Sequence, residues 1–151
     1  MRFTKSAILA SFATAASAAV MPEARVSCSE ATRFGVVTVV PSTLSPGDSF
    51  TVHADFTCAI SNYGINPQYT DYYIEVPENN NGHEPPILVA RRTLTSPPTD
   101  TFTAQLPYAY YFANTSYSLV LDTTYAINGT NGTPYSVVGG IETLIDIINI
   151  S

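Results

Sequence analysis

Apolar and polar side chains alternate along most of this chain with a period of two residues. The clearest early example runs from Ser49 to Phe56, where every second residue is apolar and the residues between them are polar. The apolar set is Phe50, Val52, Ala54 and Phe56. A period of two places alternate side chains on opposite faces of an extended strand. The pattern therefore predicts a β-strand with one buried face.

The same alternation recurs in later segments. The aligned sets are Tyr72, Ile74 and Val76; Phe102, Ala104 and Leu106; and Tyr117, Leu119, Leu121, Thr123 and Tyr125. Further predicted strands are Gly35–Val40, Ile87–Leu94 and Tyr135–Ile147. Within the last of these, the pair Gly139-Gly140 predicts a bulge or the close approach of another backbone.

Turn-forming residues separate the predicted strands. They lie at Pro41–Asp48, which contains a Pro-Gly-Asp turn, at Asn79–Gly82, at Pro97-Pro98 and at Asn128–Gly132. Short strands with regular breaks, and no long helical pattern, indicate two packed antiparallel sheets. We therefore predict an all-β fold, a single immunoglobulin/fibronectin-III-like antiparallel β-sandwich of about seven strands formed by residues 34–151.

Tyr117 opens the penultimate predicted strand. In immunoglobulin-like sandwiches a tyrosine at this point often hydrogen-bonds back to the backbone of the preceding crossover and fixes that corner. Tyr117 is placed to do this, and an ordinary inward-facing tyrosine is the alternative.

The first residues have the features of an export signal. Arg2 and Lys5 precede a short apolar stretch, and Ala16-Ser17-Ala18 supplies a small-residue cleavage pattern. We expect residues 1–18 to be a signal peptide, residues 19–33 to be an N-terminal segment, and the product to be secreted and extracellular.

Removal of the signal peptide leaves a strongly acidic chain without lysine. Four arginines then stand against twelve acidic residues, so the net charge is −8. A surface of this charge repels phosphate groups and anionic lipid, so we expect no nucleic-acid binding and no adsorption to membranes. Asp146 and Asn149 interrupt the last apolar residues, so we also expect no GPI anchor and no membrane insertion.

Cys28 and Cys58 are the two cysteines of the chain. In an exported protein such a pair is expected to form a disulfide, which would tether residues 19–33 to the sandwich. Neither a CxxC spacing nor a histidine cluster accompanies the pair, which argues against a metal or redox site.

Two short groups of polar residues carry side chains that act elsewhere as bases or metal ligands. His53 and Asp55 share one face of a predicted strand, and His83 and Glu84 are adjacent in a predicted loop. Neither group has a nucleophile motif or a third ligand at a metal-binding spacing. We therefore expect no catalytic residues, no metal, no cofactor and no enzymatic activity; a hydrolase or metal-dependent enzyme ranks third among the functions considered.

Tyrosine and arginine side chains are the predicted partner contacts. Tyr108, Tyr110 and Tyr111 lie close together in a chain with ten tyrosines and no tryptophan. Exposed tyrosines can anchor a protein interface or stack on sugar rings. Arg91 and Arg92 are adjacent in a predicted strand, where alternation turns at least one toward solvent. The alternatives are that some of these tyrosines fill the core and that an arginine pairs with an acidic neighbour.

Four Asn-x-Ser/Thr sequences predict N-glycosylation, at Asn114, Asn128, Asn131 and Asn149. Asn114 precedes a predicted strand, whereas Asn128 and Asn131 share one hairpin loop. Glycans on that loop would shield one end of the sandwich.

The run from Val39 to Val52, Val-Val-Pro-Ser-Thr-Leu-Ser-Pro-Gly-Asp-Ser-Phe-Thr-Val, resembles the opening of small secreted fungal sandwich proteins. It is similar to the necrosis-inducing secreted effectors of plant-associated fungi and to the Ser/Thr-rich wall proteins implicated in β-1,6-glucan assembly. Pro107 and the strand Tyr117-Ser118-Leu119 resemble the later part of the second group. The resemblance defines no functional residues.

What the resemblance implies is a non-enzymatic extracellular role through protein or glycan contact. We therefore expect a fungal effector, a virulence protein that binds a host extracellular or membrane-receptor protein. A cell-wall-associated or carbohydrate-binding module is the alternative.

Overall fold

The computed structural model describes residues 27–95 and 97–148. The predicted signal peptide, residues 19–26 and the predicted glycosylation site Asn149 lie outside the described residues. The described chain forms eight strands: β1 (Val36–Val40), β2 (Thr43–Leu44), β3 (Ser49–Asp55), β4 (Tyr69–Glu75), β5 (Ile87–Arg92), β6 (Thr99–Gln105), β7 (Tyr117–Asn128) and β8 (Pro134–Ile147). A 3-10 turn at Glu30–Thr32 and helix α1 (Thr57–Ser61) complete the elements.

The strands pack as two sheets. The smaller sheet has the order β1-β3-β6, and the larger has the order β2-β8-β7-β4-β5. Among the described pairings only β2 with β8 is parallel, joining Thr43 and Leu44 to Asp146 and Ile147. The penultimate strand β7 lies at the centre of the larger sheet, as in immunoglobulin-like sandwiches. The predicted all-β sandwich is thus confirmed, with eight strands where about seven were predicted.

Three short elements were not predicted from the sequence: β2, α1 and the 3-10 turn. Strand β2 has two residues and α1 has five, so neither is long enough to show a period of two or of 3.6 residues. Asp55 accepts a hydrogen bond at Oδ1 from the backbone N–H of Thr57 at 2.7 Å, at the point where α1 begins. No helix within the described ranges has the length and apolar character to cross a membrane.

The alternate residues identified in the sequence fill the space between the sheets. Phe50, Val52, Phe56, Leu119 and Leu121 are each at most 1% exposed. Burial of a side chain of this size contributes about 1.5–3 kcal/mol relative to leaving it in water. The period-two pattern holds in β3 because one face of that strand packs on the core and the other faces solvent.

The glycine pair in β8 forms no bulge. The register between β7 and β8 is unbroken from Tyr117↔Ile145 to Asn128↔Pro134. A Cβ on Gly139 would overlap the ring of Phe34. The prediction of a bulge or of a neighbouring backbone is therefore wrong, because the space at Gly139 is taken by an aromatic side chain.

Cys28 and Cys58 form the predicted disulfide. Cys58 lies in α1, which follows β3 directly. The bridge therefore ties the residues that precede β1 to the same end of the sandwich at which β3 finishes.

The loops gather at two opposite ends of the sandwich. The tyrosine end consists of residues 45–48, 76–86 and 106–116, and the hairpin end consists of residues 56–68, 93–95, 97–98 and 129–133. Backbone hydrogen bonds join the loops within each end, from Leu106 N–H to Asp48 O at the first and from Phe56 N–H to Pro98 O at the second. Twelve residues of β7 connect the two ends, a span of about 35 Å.

Candidate functional site

The three clustered tyrosines separate into two exposed side chains and one buried side chain. Tyr108 is 83% exposed and Tyr110 is 78% exposed, whereas Tyr111 is 3% exposed. Residues 107–116 form a loop, so the alternation of a strand does not apply to them. The Tyr111 hydroxyl donates to the carbonyl oxygen of Pro107 at 2.9 Å, and burial raises the pKa of Tyr111 to about 12. Tyr111 is therefore withdrawn from the predicted partner contacts.

The Pro-Gly-Asp turn positions Tyr108. The backbone N–H of Asp48 donates to the carbonyl oxygen of Ser45 at 2.9 Å, and Gly47 has φ +91°, which a type II turn requires at its third position. A Cβ on Gly47 would overlap the phenol of Tyr108. The absence of a side chain at Gly47 thus lets the phenol lie against the turn, while most of Tyr108 remains exposed.

The Tyr117 hydroxyl joins the two longer loops of the tyrosine end. It donates to Glu84 Oε2 at 2.8 Å and accepts the backbone N–H of Phe112 at 2.8 Å. Tyr117 is buried, and burial first, then the hydrogen bond to Glu84, raises the pKa of its hydroxyl above the usual range. The predicted backward hydrogen bond to the crossover backbone is confirmed. Glu84 is a partner that the sequence did not indicate.

Asn80 holds Glu84 in place. The Asn80 amide donates to the Glu84 carbonyl oxygen at 2.6 Å and accepts the Glu84 backbone N–H at 2.7 Å. Both polar ends of the Asn80 side chain are therefore occupied within the loop. Together with the Tyr117 hydroxyl, this arrangement fixes residues 80–84 relative to residues 112–117.

A cavity of about 720 Å³ lies between these two loops. Its lining includes the aromatic residues Tyr110 and Phe112 and the polar residues Asn79, His83 and Asn114. The two rings pack edge to face with centroids 5.4 Å apart. Ligand sites in proteins commonly have volumes of about 300–1,000 Å³. Sequence alternation could not reveal this cavity, because it is formed by two loops that are far apart in the chain.

The two adjacent arginines are both engaged in ion pairs. Arg91 donates to both carboxylate oxygens of Asp71, at 2.6 and 2.8 Å. Arg92 donates to both carboxylate oxygens of Asp100, at 2.7 and 2.9 Å. The alternative that these arginines pair with acidic neighbours is therefore the observed one. The prediction that Arg91 and Arg92 contact a partner loses its basis, because each guanidinium group already has a carboxylate partner.

The residues considered for catalysis or metal binding lie in two separate places. His53 and Asp55 are on the smaller sheet, whereas His83 and Glu84 belong to the tyrosine end. His53 is exposed, and its Nδ1 lies 3.2 Å from the hydroxyl of Thr101. Within the described ranges no group of three or more His, Cys, Asp or Glu residues is arranged to hold a metal ion.

The predicted glycosylation sites fall at both ends of the sandwich. Asn128 and Asn131 are exposed at the hairpin end, where the Asn131 side-chain oxygen accepts the backbone N–H of Thr133 at 3.0 Å. Asn114 is exposed at the tyrosine end and lines the cavity. Glycans on Asn128 and Asn131 would therefore leave the tyrosine end open, whereas a glycan on Asn114 would begin at the cavity.

The chain matches no protein-family model and no curated protein sequence. Among solved structures it is similar to a superoxide reductase (neelaredoxin) from Ignicoccus hospitalis, with 13% identity, a TM-score of 0.45, and coverage of 76% of this chain and 80% of that one. Two variants of the same reductase are similar at 12% and 13% identity, with TM-scores of 0.42 and 0.45. They cover 74% and 78% of this chain and 79% and 83% of theirs.

These structures contradict one prediction from the sequence. The proteins they represent are named as reductases, so the expectation that this chain is not an enzyme is withdrawn. The structural similarity does not assign an enzymatic activity to this chain. At this identity and TM-score it carries no argument about the chemistry of the present chain.

Proposed function

We propose that this chain is an exported recognition domain that binds a partner protein through its tyrosine end. The observation that carries the proposal is the exposure of Tyr108 and Tyr110, which are the most exposed large hydrophobic side chains among the described residues. Tyrosine is enriched among the residues that dominate the energetics of protein interfaces. Each ring offers a large contact area with a polar group at its tip.

Both rings belong to a loop that is held by contacts with its neighbours. Tyr108 lies against the turn at Gly47, and Tyr110 packs on Phe112, whose backbone N–H is held by Tyr117. Ordering an interface loop on binding costs free energy that a preorganised loop avoids. This rigidity supports a binding role for the tyrosine end.

The partner class follows from the resemblance of residues 39–52 to secreted effectors of plant-associated fungi. This resemblance supports the assignment of the chain as a fungal protein whose partner is a host extracellular or membrane-receptor protein. The net charge of −8 after removal of residues 1–18 favours a partner surface with positive charge. A wall-glycan function is the second candidate, favoured by the aromatic and amide lining of the cavity.

The test compares capture of host proteins and of insoluble wall polysaccharides by the secreted protein and two variants. The Tyr108→Ala/Tyr110→Ala variant is expected to lose at least ten-fold in affinity for a captured host protein, since each truncated anchor costs about 1 kcal/mol or more. Tyr135→Ala is the matched control, because Tyr135 is an exposed tyrosine next to the hairpin end. Unchanged binding by the double variant would refute the proposal, and capture by polysaccharide alone would favour the second candidate.

A further inference from the structure

We propose that an N-linked glycan on Asn114 folds back into the cavity of the tyrosine end and packs its first sugar against Tyr110 and Phe112. The inference rests on the export part of the proposed function, because N-glycans are added in the secretory pathway, and it does not depend on the identity of any partner. It assigns an occupant to the cavity, namely a sugar carried by the chain itself.

The position of Asn114 is the first argument. Asn114 belongs to the wall of the cavity, so a sugar joined to its side chain starts within reach of the other lining residues. Its φ of +57° is a left-handed conformation that asparagine adopts more readily than most residues. The Asn114 side chain has no hydrogen-bonding partner among the described residues, so a sugar on its nitrogen would break no existing bond.

The arrangement of the aromatic rings is the second argument. Phe112 and Tyr110 precede Asn114 by two and four residues and line the same cavity. Their edge-to-face contact fixes both rings in one orientation. A pyranose ring has an apolar face of C–H groups that packs on an aromatic surface. Burying that face against Tyr110 and Phe112 would remove apolar area of both partners from water.

The opposite wall is the third argument, because a sugar also carries hydroxyl and acetamido groups that require polar partners. Glu78, Asn79 and His83 provide acceptors and donors on that side. Asn80, which also lines the cavity, is held by Glu84 and keeps this wall in place. The volume of about 720 Å³ lies within the range of small-molecule sites, so the space accommodates the sugars at the base of a glycan.

One consequence is that Asn114 differs from the hairpin sites. A glycan on Asn128 or Asn131 lies about 35 Å away at the other end of β7 and makes no contact with the cavity. The sugar on Asn114 should join the loops 76–86 and 106–116 more firmly, whereas glycans at the hairpin end should leave these loops unchanged. The sugar would cover part of the Tyr110 ring, whereas Tyr108 does not line the cavity and remains exposed for a partner.

The experiment uses the chain secreted from a eukaryotic host behind that host's own leader, so the result does not depend on residues 1–18. Glycopeptide mass spectrometry measures occupancy, and enzymatic release of glycans from the native protein measures their accessibility at each site. We expect Asn114 to be occupied and its glycan to be released at least ten-fold more slowly than the glycan on Asn128. In Asn114→Gln the melting temperature should fall by several degrees, with no such fall in Asn128→Gln.

A ring variant separates contact with the cavity from a general effect of glycosylation. Tyr110→Ala removes an exposed ring and should bring the release rate at Asn114 close to the rate at Asn128, whereas Tyr108→Ala should not. An unoccupied Asn114, or equal release rates at the two sites in the unsubstituted protein, would overturn the inference. Neither readout uses a partner, so failure here leaves the proposed partner binding open to its own test, and failure of partner binding leaves this result intact.

Discussion

At the scale of single residues, Asp100 shows how one carboxylate can join the two sheets. Asp100 lies on β6 of the smaller sheet, and its oxygens accept hydrogen bonds from Arg92 on β5 and from Tyr72 on β4 of the larger sheet. The Arg92 guanidinium also lies 4.6 Å from the ring centroid of Phe102 on β6. Asp71 and Arg91, by contrast, both belong to the larger sheet. The two ion pairs therefore have different structural roles.

We predict that Arg92→Ala lowers the free energy of unfolding by about 2–3 kcal/mol, because it leaves the Asp100 carboxylate buried without its charged partner. Arg91→Ala is the matched control: it also leaves a carboxylate that is 7% exposed, that of Asp71, but this pair lies within one sheet and the Arg91 side chain is 62% exposed against 34% for Arg92, so its loss should be clearly smaller. Urea denaturation of the three proteins measures both values. Equal losses in the two variants would contradict the assigned inter-sheet role.

At the scale of the elements, the outer face of the larger sheet brings carboxylates together. Asp122 on β7 lies directly opposite Asp71 on β4. Burial, and then repulsion from Asp71, raises the pKa of the Asp122 carboxyl above its usual value. The folded protein thus binds a proton at this site more tightly than the unfolded chain does. Stability therefore falls as pH rises through the interval between the unfolded and folded pKa values.

We predict that Asp122→Asn raises the free energy of unfolding at pH 7 by about 0.2–1 kcal/mol, because like charges directly opposite each other on neighbouring strands are destabilising. The gain should disappear near pH 3, below the usual pKa of an aspartate, where the carboxyl of the original protein is protonated. Thermal denaturation across this pH range provides the measurement. Asp146→Asn removes an exposed carboxylate from β8 and is the charge-matched control. A gain that is the same at both pH values would refute the explanation.

The elements also show which features of the fold the sequence could predict. Alternation located β3 and β7 because each has seven or more residues and buries alternate side chains on the core. It gave no assignment for Tyr108, Tyr110 and Tyr111, because residues 107–116 form a loop, and the burial of Tyr111 is seen only in the structure. The glycine pair in the sequence predicted a bulge or a neighbouring backbone and not the Phe34 ring that lies against Gly139, because that contact joins residues far apart in the chain.

The candidate site was less predictable than the fold for the same reason. Tyr108 and Tyr110 were identified by composition alone, since tyrosine is common at interfaces whatever the fold. The cavity beside them depends on two loops that meet only after the sheets have packed. The hydrogen bond from Tyr117 to Glu84 holds these two loops together. No spacing rule in a sequence relates a residue in a loop to the start of a distant strand.

At the scale of the whole molecule, the disulfide and the tyrosine end lie at opposite ends of the sandwich. The Cys28–Cys58 bridge closes a loop with a sequence separation of 30 residues beside the hairpin end. Its stabilising effect acts on the unfolded chain. The contacts around Tyr117 belong to the other end and do not involve it.

We predict that the Cys28→Ser/Cys58→Ser variant loses roughly 3–4 kcal/mol of stability, as the chain-entropy relation gives for a loop of this length, and retains whatever affinity the tyrosine end has. Denaturation in urea gives the first value and the binding assay gives the second. The original protein in reductant is the control, and its free energy of unfolding should match that of the variant. Free thiols in the purified protein, or a stability unaffected by reductant, would show the prediction to be wrong.

The paths of β1 and β8 have a consequence for how the molecule can be attached to a surface. The described chain enters at the hairpin end, beside the disulfide, and its last strand finishes at the tyrosine end, where Ile145 pairs with Tyr117. A tether placed before Ser27 would therefore hold the molecule with Tyr108 and Tyr110 pointing away from a sensor or bead. A tether placed after Ile148 would turn the same tyrosines toward the support, so immobilisation through the two ends should give different capture efficiencies for the same protein.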